Sequence, residues 1–349
     1  MKINNLINQH IKKLIPYKVI NNPYKIKLDA QENPYDILLK LKNKILQETK
    51  KILFNRYPDS SSYELKKSIA KHYKVKTDQI FLGNGSDEII MNILLAFGNS
   101  KTFVLSPEPS FSVYKILSNT LNIPYKGIPL DEKFDLDPKL FLSFKGILFL
   151  AYPNNPTGNC YSEEKIIYLL KHFSGIIIID EAYAEFSNKT FLNYIDKYSN
   201  LIILKTFSKM FSLAGLRIGY LISNKKIVET LDKVRLPYNL NSFSQLAAKI
   251  LIDNYKSLDK VKKTILKEKE ILFKKLQEIK GIKAYPSEAN FILFKTNKNN
   301  TYVWKELLKK EILIRKIDSY LRVTIGCPEE NKKFIYSLRE IQNENKKNK

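Results

Sequence analysis

A lysine near the middle of the chain follows an apolar run of the sequence, a position in which its amine could act as a nucleophile. It is Lys209, and it follows an apolar run at residues 201–204 by way of Thr206 and Ser208. Burial at the end of a strand disfavours the charged ammonium, which lowers the lysine pKa and frees the amine for attack. Arg217 follows, and its guanidinium could bind a phosphate together with the two hydroxyls. The alternative is an ordinary surface lysine, which this segment alone would favour in a lysine-rich chain.

A carboxylate closes a strongly apolar run of the sequence. Isoleucines occupy positions 176–179, Asp180 comes next, and Tyr183 follows it. A carboxylate at the end of a buried strand costs free energy unless a cation meets it. The protonated ring nitrogen of pyridoxal 5'-phosphate would be such a cation, and Tyr183 could donate to the phenolic oxygen of that ring. The competing interpretation is that Asp180 caps the following helix.

Three further segments place polar or aromatic groups after apolar runs. Asn155 lies in a turn rich in proline and glycine, where its amide could bond the same phenolic oxygen. Gly85, Ser86 and Asp87 stand between a strand and an apolar helix, and free amides at a helix start favour phosphate. Phe111 could stack on a flat ring. Each has a plainer reading, as a structural loop, a helix cap or a core phenylalanine.

The spacing of the apolar runs predicts the frame that would hold these residues. Short runs alternate with helical patterns, and the runs are at residues 80–82, 102–105, 146–151, 176–179, 201–204 and 217–222. This alternation is typical of a three-layer α/β domain with a mostly parallel sheet. In such sheets ligands bind beyond the carboxyl ends of the strands, where all of the residues above would lie.

The rest of the chain predicts a smaller α/β domain beside the first. A long helical stretch near residues 225–278 leads to strands at 290–294 and 320–325 and to a last helix near 329–341. We interpret residues 1–40 as an N-terminal arm that is part of the small domain and of the substrate site. Residues 41–240 form the large domain and residues 241–349 the small one.

The composition of the chain is basic but argues for an ordinary globular protein. Of its 349 residues 44% are hydrophobic, and the formal net charge is +24. The basic residues are spread along the chain rather than gathered in a block, so we expect solvated faces and no nucleic-acid partner. The two cysteines make neither a disulfide framework nor a zinc pair. No run reaches the roughly 20 apolar residues of a membrane helix, and the sequence predicts a cytoplasmic protein without a metal.

The order of these residues resembles the aspartate aminotransferase superfamily of fold type I along nearly the whole chain. The matching residues are Gly85, Ser86, Phe111, Asn155, Asp180, Tyr183, Ser208, Lys209, Arg217 and Arg322. Flanking segments are similar to those of the histidinol-phosphate aminotransferases, at residues 28–35, 56–59, 180–186, 213–217 and 235–239.

The resemblance implies roles for residues that their own positions do not explain. Lys209 would carry pyridoxal 5'-phosphate as a Schiff base. Tyr57 would reach the cofactor phosphate of a neighbouring subunit, which implies a homodimer. Tyr17 would contact a substrate phosphate, and Arg322 and Arg315 would bind substrate anions, with Asn155 beside them.

The chain also departs from the pattern of that family. Gln31 stands where asparagine is usual, and Asp36 where glycine is frequent. The segment between Arg315 and Arg322 is several residues shorter than usual.

The reaction implied by the resemblance is a transamination in histidine biosynthesis. L-Histidinol phosphate and 2-oxoglutarate would give imidazole acetol phosphate and L-glutamate. Two kinds of alternative stay open. One is a related aromatic aminotransferase or threonine-phosphate decarboxylase, and the other is a non-catalytic basic binding protein built on the same scaffold.

Overall fold

The computed structural model describes residues 3–16 and 24–344. Within these ranges the strands are β1 (Ile26–Leu28), β2 (Ile80–Gly83), β3 (Phe103–Glu108), β4 (Tyr125–Pro129), β5 (Lys145–Ala151), β6 (Ser174–Asp180), β7 (Leu201–Thr206), β8 (Gly219–Ser223), β9 (Ile282–Ala284), β10 (Phe291–Thr296), β11 (Ile312–Ile317) and β12 (Tyr320–Thr324).

The α-helices in the same ranges are α1 (Gln9–Lys12), α2 (Leu39–Thr49), α3 (Tyr63–Tyr73), α4 (Ser86–Phe97), α5 (Val113–Thr120), α6 (Glu163–His172), α7 (Ala184–Ser187), α8 (Lys225–Asp232), α9 (Ser242–Asp253), α10 (Asp259–Gln277), α11 (Asn300–Lys309) and α12 (Pro328–Asn343). Short 3-10 helices cover Ile3–Asn5, Thr77–Gln79, Pro138–Phe141, Leu192–Tyr194, Ala214–Leu216 and Tyr255–Leu258.

A seven-stranded sheet forms the centre of the large part of the molecule. Its strand order is β2-β8-β7-β6-β5-β3-β4, and β8 runs antiparallel to both of its neighbours while the other pairs are parallel. Side chains alternate between two apolar layers: on β6, Ile178 packs with α4, α5 and α8, whereas Ile177 and Ile179 pack with α3, α6 and α9. Burial on both faces explains the unbroken isoleucine run, and the expected three-layer α/β fold is confirmed.

A smaller sheet has the order β1-β11-β12-β10-β9. β1, from the N-terminal part of the chain, pairs in parallel with β11, so the arm contributes a strand to this sheet. β10, β11 and β12 pair antiparallel, which brings distant parts of the C-terminal segment into register. α9 packs on α2 and α3 although it lies beyond residue 240, and the division of the chain at residue 240 stays a proposal.

The structure corrects several expected elements. The helical stretch near residues 225–278 consists of three helices, α8, α9 and α10, and Pro237 lies in the first of the two breaks. β8 begins at Gly219 rather than at Arg217, because Arg217 has a left-handed φ of 52° that a strand does not allow. The strands β1, β4, β9 and β11 were not expected. Each is short or half exposed, and such strands give a weak apolar pattern.

Among the described residues, no helix has the length and apolar character that crossing a membrane requires.

Candidate active site

Two adjoining cavities lie at the carboxyl edge of the large sheet. The first has a volume of about 120 Å³, and the residues expected there that line it are Ser86, Asp87, Phe111, Asn155, Asp180, Tyr183, Thr206, Ser208, Lys209 and Arg217. The second, of about 470 Å³, is lined by Phe111, Asn155, Lys209, Arg315 and Arg322 among others. The residues of both cavities come from several segments that are far apart in sequence. The fold therefore brings most of the expected site residues together, while their roles stay predictions.

Lys209 lies between the two cavities and lines both. Its Nζ donates to the backbone oxygen of Ala30 at 2.8 Å and stands 5.6 Å from the centre of the Tyr183 ring. Burial lowers the pKa of Lys209 to about 8, and the positive charge of Arg322 acts in the same direction. A substantial fraction of this amine is consequently neutral near physiological pH, as a nucleophile requires.

Asp180 ends β6 and is 5% exposed. Its Oδ2 accepts a hydrogen bond from Tyr114 Oη at 2.7 Å, and its Oδ1 accepts one from the backbone N–H of Ala182 at 3.1 Å. Within the described chain, no lysine, arginine or histidine lies within ion-pair distance of it. Burial raises the pKa of Asp180 to about 6, against the stabilising effect of the two donors. The bond from Ala182 is a local turn contact. Asp180 does not cap the following helix, because the N-cap residue of α7 is Tyr183.

Asn155 and Tyr183 form a polar wall between the cavities. Asn155 Nδ2 donates to Tyr183 Oη at 3.2 Å, and Tyr183 Oη donates to Gln31 Oε1 at 3.2 Å. Both side chains are 5% exposed. Burial raises the pKa of Tyr183 above its ordinary value although Arg322 opposes it, so the phenol keeps its proton. Phe111 also lines both cavities and meets Tyr114 edge to face at 5.5 Å.

An anion cradle forms where β2 meets α4. Gly85 has a φ of +82° before the first residue of α4, Ser86, and the Arg217 side chain lies where a Gly85 Cβ would be. Arg217 Nη2 also pairs with Asp87 Oδ2 at 3.2 Å. On the neighbouring strand, a Cβ at Gly219 would come within 2.5 Å of the Ser86 backbone nitrogen. Free amides at a helix start, a guanidinium and nearby hydroxyls together suit a phosphate.

The hydroxyls of that cradle come from the end of β7. Thr206 Oγ1 lies 3.0 Å from Ser208 Oγ and accepts a bond from the Ser208 backbone N–H at 3.1 Å. This turn fixes the backbone just before Lys209.

The two arginines of the second cavity lie opposite each other on a hairpin. Arg315 on β11 pairs in register with Arg322 on β12, and a tight turn at residues 318–319 joins the strands. Arg322 is 6% exposed; it donates to the backbone oxygen of Asp29 at 2.8 Å and to Asn155 Oδ1. The short segment therefore does not remove Arg315 from the site, because directly opposed residues of antiparallel strands share a face.

Two of the expected residues lie elsewhere. Tyr57 is 80% exposed, stacks on Tyr238 with the ring centres 4.5 Å apart, and lines neither cavity of its own chain. Tyr17 is outside the described residues.

Sequence reasoning missed three groups at this site: the hydroxyl of Tyr114, the side chain of Gln31 and the backbone oxygen of Ala30. Tyr114 carries no motif, and its contact with Asp180 depends on how α5 packs on the sheet. Gln31 has a signal in the sequence, since it departs from the usual asparagine in a segment that otherwise resembles the family. Ala30 acts through its backbone, which no residue pattern reveals.

Comparisons with known proteins identify the family of the chain. The sequence profile of the family "Aminotransferase class I and II" matches residues 23–338. A histidinol-phosphate aminotransferase of Caldanaerobacter subterraneus subsp. tengcongensis is 41% identical over an alignment of 350 positions. The alignment covers 97% of this chain and 99% of the relative. The crystal structure of the histidinol-phosphate aminotransferase from Clostridium acetobutylicum has a TM-score of 0.83 at 30% identity, covering 91% of this chain and 99% of that one.

The fold alone is also shared with the histidinol-phosphate aminotransferase from Sinorhizobium meliloti in complex with pyridoxal-5'-phosphate. Its TM-score is 0.88 at 20% identity, covering 96% of this chain and 97% of the other. From the profile match and the identity over almost the full length, the chain belongs to the histidinol-phosphate aminotransferases, within the class I and II aminotransferase family.

Proposed function

We propose that the protein is a pyridoxal-phosphate-dependent transaminase that converts L-histidinol phosphate and 2-oxoglutarate into imidazole acetol phosphate and L-glutamate, in histidine biosynthesis. One observation carries the proposal: Lys209, with its lowered pKa, stands between a cavity that holds Asp180 and a cavity that holds Arg315 and Arg322. The first cavity suits a cationic ring and its phosphate, and the second suits anionic substrates. The names of the relatives support this reaction.

The residues of the first cavity fit pyridoxal 5'-phosphate. Asp180 is a buried carboxylate without a cation in the described chain, and a protonated pyridine nitrogen would supply the missing charge. Arg217, Ser208 and the start of α4 offer donors for the phosphate. Asn155 and Tyr183 would hold the phenolic oxygen.

The bound cofactor supplies an electron-accepting ring for the electrons left when the substrate Cα–H bond breaks. Lys209 would hold the cofactor as a Schiff base until the substrate amine displaces it. The freed Lys209 amine would then take the proton from the substrate Cα and return it as general base and acid. Asp180 would keep the proton on the ring nitrogen. Arg322 and Arg315 bind the carboxylate or phosphate of the substrate and orient it against Lys209.

The experiment that tests this function is a substrate panel with the purified holoenzyme. L-Histidinol phosphate, aromatic amino acids and threonine phosphate are each supplied with 2-oxoglutarate, and glutamate and carbon dioxide are measured. Glutamate formed fastest from histidinol phosphate supports the proposal. Release of carbon dioxide from threonine phosphate would instead identify a decarboxylase, and fastest turnover of tyrosine or phenylalanine an aromatic aminotransferase. An absence of any cofactor absorption band would favour the non-catalytic binding protein.

A homodimer is the second part of the proposal. Large apolar side chains are exposed on two neighbouring segments joined by the stack of Tyr57 on Tyr238; they are Leu53, Phe54, Tyr57, Leu236 and Tyr238. Clusters of this kind mark interfaces. A second copy of the chain would cover them and would bring Tyr57 to the cofactor phosphate of its partner. Each active site would then be completed by the other subunit.

Mixed dimers test the shared site. Tyr57→Ala and Lys209→Ala chains are prepared separately, shown to be impaired, and then combined. If Tyr57 acts across the interface, the mixed dimer has one site with both lesions and one with neither, so activity returns. If Tyr57 acts within its own chain, every site keeps one lesion and mixing restores nothing. Mixed dimers that form without recovery would contradict the shared site.

We place the reaction in the cytoplasm. Cys160 and Cys327 are both free thiols, as in proteins of reducing compartments.

A further inference from the structure

A closed ring of hydrogen bonds joins the two cavities. Asn155 donates to Tyr183, Tyr183 donates to Gln31, and Gln31 Nε2 donates to the backbone oxygen of Asp29 at 2.8 Å. Arg322 completes the ring, because it donates both to the same oxygen of Asp29 and to Asn155 Oδ1. All five residues are at most 7% exposed. Buried polar groups of this kind hold each other in one arrangement.

The ring determines which way each polar group points. The backbone oxygen of Asp29 only accepts, so the NH₂ of Gln31 must face it and Oε1 must face Tyr183. Arg322 only donates, so Oδ1 of Asn155 must face it and the NH₂ of Asn155 must face Tyr183. Tyr183 thus has a donor on one side and an acceptor on the other. Its single proton is directed to Gln31.

The backbone of Gln31 is held as firmly as its side chain. Its φ of 52° lies in the left-handed region, which residues other than glycine rarely adopt. The N–H of Gln31 donates to Thr324 Oγ1 at 3.0 Å, and its oxygen accepts from Asn290 Nδ2 at 3.1 Å. Both partners belong to the small sheet region, whereas Tyr183 belongs to the large one. Gln31 is therefore a fixed point between the two parts of the molecule.

We propose that Gln31 is a positioning residue that accepts the hydrogen bond of the Tyr183 hydroxyl and thereby weakens the hydrogen bond from Tyr183 to the phenolic oxygen of the cofactor. This inference rests on the proposed function. A phenolic oxygen that receives a weaker bond stays more basic, so the neighbouring Schiff base nitrogen on Lys209 keeps its proton to a higher pH. The charged groups that face Tyr183 are Arg322, Asp180, Asp87 and Lys209. None of them is altered by a change at Gln31.

The test is a pH titration of the visible absorption of the holoenzyme. Gln31→Met keeps a side chain of similar length and removes the acceptor, so Tyr183 can donate fully to the cofactor. The midpoint of the titration should fall by roughly 0.5–1 pH unit, the size expected of one redirected hydrogen bond. Tyr183→Phe should raise the midpoint. In the Tyr183→Phe background, Gln31→Met should change nothing, because there is no proton left to redirect.

A matched control separates positioning from simple support. Thr324→Val removes the bond that holds the Gln31 backbone but leaves the side-chain acceptor of Tyr183, so the midpoint should stay near the wild-type value. If Gln31→Met folds poorly, Gln31→Asn is used; its side chain is one methylene shorter, and the same fall is expected. An unchanged midpoint in Gln31→Met, or an equal shift by Gln31→Met with and without Tyr183, would overturn the inference while leaving the proposed function intact. A wild-type protein without the absorption band would overturn both.

Discussion

Two lysines on the same segment, the buried Lys205 and the half-buried Lys209, have opposite surroundings. Lys205 Nζ lies 3.1 Å from Glu181 Oε2 and 3.0 Å from Glu185 Oε1. Burial alone would lower the pKa of Lys205, but Glu185 and Glu181 outweigh it and hold the pKa above its ordinary value. Lys209 has burial and Arg322 acting together, and its pKa falls to about 8. Burial alone would lower the pKa of both lysines. It prevails at Lys209, whereas at Lys205 the two paired carboxylates outweigh it.

Asp180, the last residue of β6, and the next residue, Glu181, also differ in their surroundings. Glu181 faces Lys205 and also accepts from Thr190 and from the Phe191 backbone N–H. Asp180 faces the first cavity, and its donors among the described residues are neutral. Because side chains alternate along a strand, adjacent residues serve opposite faces of the sheet. Glu181 therefore belongs to a compensated ion cluster, while Asp180 points to the first cavity.

Lys209→Ala should have the largest effect of the variants that test the contrast between the two lysines. Turnover of histidinol phosphate should fall by about 10³-fold or more, since both the covalent anchor and the proton-transfer group are lost. Initial rates with 2-oxoglutarate measure the loss. Borohydride reduction of the wild-type holoenzyme followed by peptide mapping should place the pyridoxyl group on Lys209. A pyridoxyl group on Lys205 or on any other lysine would show that Lys209 is not the covalent anchor.

Lys205→Met should act on stability instead. It leaves Glu181 and Glu185 buried without a cation, and the free energy of unfolding should drop by about 3–5 kcal/mol. Urea denaturation measures the drop. The triple variant with Glu181→Gln and Glu185→Gln should recover much of it, while the turnover of the folded fraction stays near normal. A loss below about 1 kcal/mol for Lys205→Met would mean that the ion cluster is not structural.

Asp180→Asn should raise the activation barrier by about 2–4 kcal/mol, because it removes the charge that holds the ring proton. Glu181→Gln is the matched variant on the opposite face, and it should weaken stability more than rate. Steady-state kinetics and urea denaturation of both variants give the contrast. Near-normal turnover of Asp180→Asn would reduce Asp180 to its turn contact with Ala182.

The smallest effect concerns the stability of the cofactor-free chain. The folded pKa of Lys209 is about 8, below the reference value of 10.5, so the folded state binds fewer protons between these values and stability rises with pH there. Below pH 8 the buried charge costs at most about 3 kcal/mol. Lys209→Met should therefore be more stable than wild type at pH 7, and the gap should close by pH 10.5. Equal dependence on pH in both chains would contradict the lowered pKa.

The strand ends were predictable because each β-rich run carried its polar residue directly after it. Asp180 after the isoleucines and Lys209 after residues 201–204 needed only the rule that parallel strands end at a common edge. The distinction between Lys205 and Lys209 was not predictable, because it depends on Glu185, which reaches Lys205 from α7.

Contacts that depend on how helices and sheets pack could not be predicted from the sequence either. Tyr114 reaches Asp180 from α5, and Gln31 reaches Tyr183 across the boundary of the two sheets. Neither pair shares a local pattern. The segment between Arg315 and Arg322 is shorter than is usual in the family, so the sequence left the position of Arg315 open. The register of β11 and β12 places both arginines in one cavity.

Gly219 has a consequence for how the protein can vary. Its missing side chain lets β8 press against the first turn of α4, with the Ser86 nitrogen 2.5 Å from where a methyl group would sit. In a library of random substitutions, Gly219→Ala adds only one carbon. That carbon would nevertheless push the helix start outward and loosen the phosphate cradle. Such a screen should find position 219 nearly intolerant, with variants that fold but retain the cofactor poorly.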